Sequence, residues 1–284
     1  MASQHPTSNH IKTSLRFWQV DAFTDRPFSG NSAAVCWLDE EVPDGWMQDV
    51  AAEMNLSETA FVQRNGAAYR LRWFTPQVEV PLCGHATLAS AHALWAAGIH
   101  PMAEPIRFQT QSGVLTCEQV NGVIEMDFPV VPYEEVDPAS DLLAALGAPA
   151  TYVGKTQYDH LVVIKDAETL RSLTPDFRKL KNFPTRGVMV TGPSDDPRFD
   201  FVSRFFAPSV GIDEDPVTGS AHCCLAPYWA KVLGKQEMTA FQASARGGIL
   251  QVRVAGDRVI LGGQAVMVLQ GELLAGPPRI SIRM

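Results

Sequence analysis

The chain has 284 residues, long enough for two domains of ordinary size, and its 46% hydrophobic content can build real cores while only 19% charged residues excludes a disordered or fibrous chain. A net charge of −8 argues against general binding to nucleic acid or to an anionic membrane, although a site can still be locally positive through backbone dipoles. Five cysteines, an odd number with no C-x-x-C pair, argue against a disulfide framework or a structural zinc site and for a reducing, cytoplasmic compartment.

Residues 1–14 are polar and lack the apolar segment of a signal peptide, so they read as a loose tail, and no apolar run reaches the roughly 18 residues of a membrane span. Phe17 to Phe23 and Ala33 to Leu38 read as strands joined by a loop from Pro27 to Asn31. Asp44 is placed to cap a helix running to Glu53, with Trp46, Met47, Val50, Ala51 and Met54 on its apolar side. Thr59 to Gln63 and Tyr69 to Phe74 alternate as strands do. Gly84 to Gly98 is apolar or small on almost every face, which predicts a helix buried on nearly all sides and stopped by Gly98. Ile106 to Val131 returns to β character, with turns at Ser112-Gly113 and Asn121-Gly122. A linker is expected between Val131 and Pro138, dividing a segment 15–131 from a segment 132–284, with the last strand free to return to the first segment. Beyond it, Asp159 to Val163, Gly187 to Thr191 and Asp200 to Phe206 read as strands. A second apolar helix runs from Gly219 towards Leu233 and Gly234, and Pro227 should kink or interrupt it. Ile249 to Val254, Arg258 to Leu261 and Ala265 to Leu274 close the list of strands.

Two stretches repeat one design. Arg72-Trp73-Phe74-Thr75-Pro76 leads to Pro81-Leu82-Cys83-Gly84-His85-Ala86, and Arg204-Phe205-Phe206-Ala207-Pro208 leads to Pro216-Val217-Thr218-Gly219-Ser220-Ala221. The arginines stand 204 − 72 = 132 residues apart and the glycines 219 − 84 = 135, a spacing near half the chain that suggests two similar halves. Each copy ends in the N-terminus of a helix, where free backbone N–H groups and the helix dipole attract an anion. Gly84 and Gly219 facing each other would make a receptor for a carboxylate. The fold expected from this order is α+β, with two similar lobes, each a barrel-like, mostly antiparallel sheet around one central apolar helix.

Glu58 lies at a helix-to-strand junction among apolar neighbours. There it is either a proton-exchanging acid with a raised pKa or a capping or turn acid. His85 occupies the first turn of a helix, where a cation is disfavoured, so it would act as a neutral donor or acceptor. Asp215 either caps the second helix or orients an imidazole. Ser220, the counterpart of His85, reads as a helix-start hydroxyl. Cys83 has Thr218 as its counterpart, so a paired-thiol racemase is impaired and Cys83 reads as a packing residue. Dinucleotide, P-loop, G-x-S-x-G and H-E-x-x-H motifs are absent, and nothing beside His85 and His92 completes a metal set; no metal or cofactor is expected.

Val20-Asp21-Ala22-Phe23-Thr24 with Gly30-Asn31, Asn55-Leu56-Ser57-Glu58-Thr59, Phe74-Thr75-Pro76, Cys83-Gly84-His85-Ala86-Thr87, Glu214-Asp215-Pro216-Val217-Thr218-Gly219-Ser220-Ala221 and Arg246-Gly247-Gly248 together resemble the PhzF-like family of phenazine biosynthesis-like proteins. That resemblance implies a diaminopimelate epimerase-like fold, a cleft active site and a homodimer. It implies a cofactor-independent isomerase acting on a small carboxylate-bearing molecule, as in the phenazine-pathway member that isomerises a dihydro-hydroxyanthranilate. Glu58 would shuttle the proton, His85, Asp215 and Ser220 would assist, and Asn31, Ser57, Gly84 and Gly219 would bind substrate. The alternatives are a hydro-lyase or a racemase or epimerase on a small amino or hydroxy acid, and a silent small-molecule binding protein.

Overall fold

The structure is a computed structural model and describes residues 14–277. The polar stretch expected to be a tail lies almost wholly outside the described residues, as does the end of the segment 132–284. Among the described residues are eighteen strands and six α-helices: α1 (Asp44–Met54), α2 (Gly84–Ala96), α3 (Ser140–Leu146), α4 (Ala167–Ser172), α5 (Phe177–Asn182) and α6 (Gly219–Leu233). None of these helices is long and apolar enough to cross a membrane. The protein is thus a sheet-rich α+β chain.

Strand pairing repeats itself. Leu15–Ala22 pairs antiparallel with Asn31–Leu38, which runs parallel to Glu58–Asn65; that strand pairs antiparallel with Ala68–Phe74, which is parallel to Ile106–Thr110, followed by antiparallel Gly113–Val120 and Val123–Pro129. Tyr152–Lys155, Asp159–Val163, Gly187–Pro193, Phe201–Ala207, Glu237–Gln242, Gly248–Ala255 and Arg258–Gly263 follow with the same succession of antiparallel and parallel senses. The two runs join through Val123–Pro129 and Arg258–Gly263, and Ala265–Leu273 pairs with Leu15–Ala22. No pairing among the described residues links the two ends of this ladder, so the sheet is open, and the pairing alone does not establish the two barrel-like lobes expected from the sequence.

Asn31–Leu38 is buried along its whole length because both its faces are covered. Ala33, Val35 and Trp37 join the core around α2, while Cys36 and Leu38 pack with Met47, Val50 and Ala51 of α1. α2 is buried on nearly all sides, as its composition predicts. Asp44 does not cap α1: Pro43 holds the capping position, and the Asp44 carboxylate instead accepts from Arg72 Nη1 at 2.7 Å. Nor does Pro227 break α6, which continues to Leu233 and ends at left-handed Gly234. Proline deprives the carbonyl four residues earlier of its helical partner. That carbonyl, on Cys223, accepts the N–H of Val131 at 3.1 Å, so the lost helical bond becomes a tie to the segment after Val123–Pro129.

The duplicated arginines carry a duplicated ion pair. Arg72 donates through Nε and Nη2 to Glu79 at 2.7 and 2.8 Å, and Arg204 does the same to Glu214 at 2.7 and 2.8 Å. Arg204 Nη1 also donates to the carbonyls of Leu170 and Leu173, at 3.2 and 2.8 Å. Breaking a largely buried pair from one side leaves a stranded charge, at a cost of about 3–5 kcal/mol. Arg204→Met should lower urea-measured stability by about 3 kcal/mol. Arg204→Met with Glu214→Met should recover part of the loss, because no unpaired charge remains.

Candidate active site

The site forms where the first turns of α2 and α6 meet. Gly84 and Gly219 lie against each other: a Cβ built on either would stand 3.8 Å from the other's Cα. The preceding residues, Cys83 and Thr218, have extended backbones, and neither side chain caps its helix. Two helix N-termini without side-chain caps therefore converge at one point.

Asn31 is brought to this point by a locked loop. Gly30 has φ +66°, and a Cβ there would lie 2.1 Å from the Ala22 carbonyl oxygen, so only glycine fits. Its N–H donates to the Gly247 carbonyl at 2.7 Å, and Arg246 donates to the Gly30 carbonyl at 2.8 Å and to buried Asp21 at 2.8 Å. Asn31 Nδ2 then lies 2.8 Å from Asp215 Oδ1, 3.0 Å from the Val217 carbonyl and 3.2 Å from His85 Nδ1. The amide has two hydrogens for these three acceptors, and Cys83 Sγ also lies 3.5 Å from His85 Nδ1; where the amide or the thiol donates to Nδ1, the imidazole proton sits on Nε2. His85 Nε2 faces Glu58 Oε2 at 3.3 Å. The two are not aligned for a hydrogen bond, and buried His85 Nε2 and Asn31 Oδ1 are both left without partners among the described residues.

Glu58 opens the strand that runs parallel to Asn31–Leu38, paired with Ala33, and its side chain is 15% exposed. Burial, followed by the negative charge of Asp215, pushes its carboxyl up to about 8 against a hydrogen bond from Cys83. Burial also pushes Asp215 up to about 6, although part of its surface is open. Hydrogen bonds from Thr218 and Asn31 and the charge of Arg186 limit that rise. Thr218 Oγ1 donates to Asp215 Oδ2 at 2.5 Å, and Gln242 donates to the Asp215 carbonyl at 2.8 Å while accepting the Thr218 N–H at 2.8 Å. Burial takes His85 down to about 3, in the direction its helix position also favours. Near neutral pH the resting site therefore holds a protonated Glu58, a neutral His85 and an ionised Asp215.

Asn31, Glu58, His85 and Asp215 are thus brought together with the two glycines. Ser57, half-buried, precedes Glu58, and exposed Ser220 follows Gly219; neither hydroxyl makes a hydrogen bond among the described residues. Asp215 reaches the imidazole through Asn31 and not directly. Gln242 and the role of Thr218 were not legible in the sequence, whose only hint is a polar residue ending the strand Glu237–Gln242. Donor atoms of Glu58, Cys83 and His85 lie within 4.8 Å of one another, a grouping that spacing along the chain does not reveal. Burial and the neighbouring acids push the Cys83 thiol well up and Glu58 to about 8, so a cation bound there would have to displace their protons.

Residues 20–271 match the phenazine biosynthesis-like protein family, PhzC-PhzF. An uncharacterized isomerase of Halalkalibacterium halodurans is 52% identical over 256 residues, which span 90% of this chain and 97% of that protein. A solved phenazine biosynthesis protein of the PhzF family from Enterococcus faecalis superposes with a TM-score of 0.88 at 43% identity, covering 92% of this chain and 99% of that one. A hydroxyproline epimerase from Agrobacterium vitis, solved with trans-4-hydroxy-L-proline bound, superposes with a TM-score of 0.58 at 12% identity over 93% of each chain, a likeness of fold alone.

A carboxyl raised from 4.5 to about 8 stabilises the fold below its unfolded value, and that contribution is lost as pH climbs through about 8. His85, taken down to about 3, works in the opposite sense but is finished above its ordinary 6.5, and Asp215 is finished above about 6. Between roughly pH 6.5 and 8 the Glu58 slope stands clear, at most about 1.4 kcal/mol per pH unit. Wild type should lose urea-measured stability across that window, and Glu58→Gln should be flat by comparison.

Proposed function

The chain belongs to the phenazine biosynthesis-like protein family and is an isomerase, and we propose that it moves a proton from one carbon to another on a small, carboxylate-bearing substrate without a cofactor. The observation that carries this reading is a buried acid, protonated near neutrality, beside two uncapped helix N-termini and two unpartnered buried polar atoms. The substrate carboxylate would sit at the helix starts of Gly84 and Gly219. His85 Nε2–H and Asn31 Oδ1 would find their missing partners in the ligand, with Ser57 and Ser220 at the rim.

Because Glu58 rests protonated, its first act is donation. The neutral acid protonates a conjugated carbon of the substrate and becomes a carboxylate. That carboxylate then removes a proton from a second carbon, which restores the acid and leaves an isomer with no net change in atoms. Burial keeps His85 neutral, while Asp215, fixed by Thr218, Asn31 and Gln242, holds the Asn31 amide that faces the imidazole. An epimerase with a base on each face has less support: Thr218 is the counterpart of Cys83, and its hydroxyl donates a hydrogen bond to Asp215. We also read the repeated ladder as two lobes, 15–131 and 132 onward, with the substrate between them and the active species a homodimer.

Glu58→Gln keeps the shape of the side chain and removes the exchangeable acid. In D₂O, a substrate found by metabolite screening should take up carbon-bound deuterium with wild type, and Glu58→Gln should slow that uptake by ~10²–10⁴-fold at matched occupancy. Equal uptake rates would remove Glu58 from the mechanism. Cys83→Ala should retain most turnover, and a loss of several orders of magnitude with folding intact would establish thiol chemistry instead.

A further inference from the structure

Strand register shows what stands opposite Glu58 in the second half of the chain. Glu58 pairs with Ala33 in one parallel pair and Gly187 with Asp159 in the other; Thr59 lies opposite Phe74 as Val188 lies opposite Phe206. Gly187 is therefore the counterpart of Glu58, and Arg186 the counterpart of Ser57. No side chain can enter at 187, because a Cβ there would lie 2.3 Å from the Phe205 ring. The next side chain available to that edge is Arg186.

Arg186 is held firmly and left partly unused. Its N–H donates to the Tyr158 carbonyl at 2.9 Å and its own carbonyl accepts from Ser209 at 2.8 Å. Its guanidinium forks onto buried Asp159, through Nε at 2.8 Å and through Nη2, while Nη1 makes no hydrogen bond among the described residues. The side chain remains 41% exposed, and its Cζ lies 5.6 Å from the Tyr158 ring centre and 5.9 Å from that of Phe205. Phe205 is in turn the strand partner of Asp215. The cation thus belongs to the wall of the site, and its charge is felt there, as it opposes the rise of the Asp215 carboxyl. Tyr158 is 57% exposed beside it. By contrast, Arg72 and Arg204 use Nε, Nη1 and Nη2 on carboxylates and carbonyls.

We propose that Arg186, backed by Tyr158, is a specificity-determining anchor for a second anionic group on the substrate, remote from the carboxylate at the helix starts. This rests on the carboxylate-site reading above and narrows it to dianionic substrates. A rigid guanidinium with an open edge favours such a ligand over its monoanion, against the repulsion of a protein of net charge −8.

Calorimetric titration of the full chain with benzoate, isophthalate, terephthalate and 4-phosphonobenzoate tests this directly. In wild type at least one dianion should bind about tenfold or more tightly than benzoate, with the margin shrinking as KCl is raised. The paired variant Arg186→Gln with Asp159→Asn, which strands no buried charge, should bring the ratio to near one. Arg186→Lys, which keeps a partner for Asp159, should reduce it and provides the test if the paired variant does not fold. Carboxylate against phosphonate identifies which anion the edge takes. Benzoate binding with no dianion preferred, or a preference that survives both variants, overturns the role of Arg186. Failure of every probe to bind at millimolar concentration contradicts the carboxylate site itself, and this inference falls with it.

Discussion

Two positive helix ends pressed together repel each other. This chain holds the starts of α2 and α6 in contact at Gly84 and Gly219, and much of the architecture can be understood as sustaining that arrangement. The ladder of strands clamps both helices, and the bond from Val131 to the carbonyl freed by Pro227 ties α6 to the first half of the chain. The ion pairs of Arg72 with Glu79 and Arg204 with Glu214 brace the hairpins that lead into each helix. Ionised Asp215 offsets part of the repulsion, and an anionic ligand would offset more. The same crowding desolvates Glu58 and His85, so one constraint produces both the paired positive helix ends and the displaced acidities.

The two halves share a backbone but no longer share chemistry. Register and spacing place Gly187 where the first half has Glu58, Asp215 where it has Val80, Thr218 for Cys83 and Ser220 for His85. A symmetrical site would offer an acid or base to each face of a substrate. On the reading proposed above, this one concentrates proton exchange on Glu58 and gives the opposite wall to Asp215, its hydroxyl partner and an arginine. That division suits relocation of a proton on one molecule better than inversion at a single carbon.

Much of this was legible in the chain because it is written locally. The apolar run from Gly84, the duplicated Arg-to-Gly landmarks and the acid in Asn55-Leu56-Ser57-Glu58 need only short windows of sequence, and α2 and α6 lie where those windows place them. Three features escaped for physical reasons. α3, α4 and α5 are six or seven residues long, too short for a helical period to declare itself. Pro227 reads as a break because the donor that rescues the Cys223 carbonyl comes from Val131, far away in sequence. Gln242, Arg186 and the Asn31 amide acquire meaning only through contacts between segments separated in the chain, 186 residues apart for Asn31 and Val217. The protonation of His85 likewise depends on which atom faces its Nδ1, a fact of contact and not of composition.

The account stands on Glu58 being a neutral acid at rest. Carbon-13 NMR of the ligand-free protein, labelled at the glutamate side-chain carboxyl and assigned by comparison with Glu58→Gln, reads that protonation state directly as pH is varied. The prediction is one carboxyl titrating with a midpoint near 8, well above the ordinary 4.5. A Glu58 signal that titrates in the ordinary carboxylate range, and is fully ionised at pH 7, would contradict the acid-first mechanism and the desolvated site on which it rests.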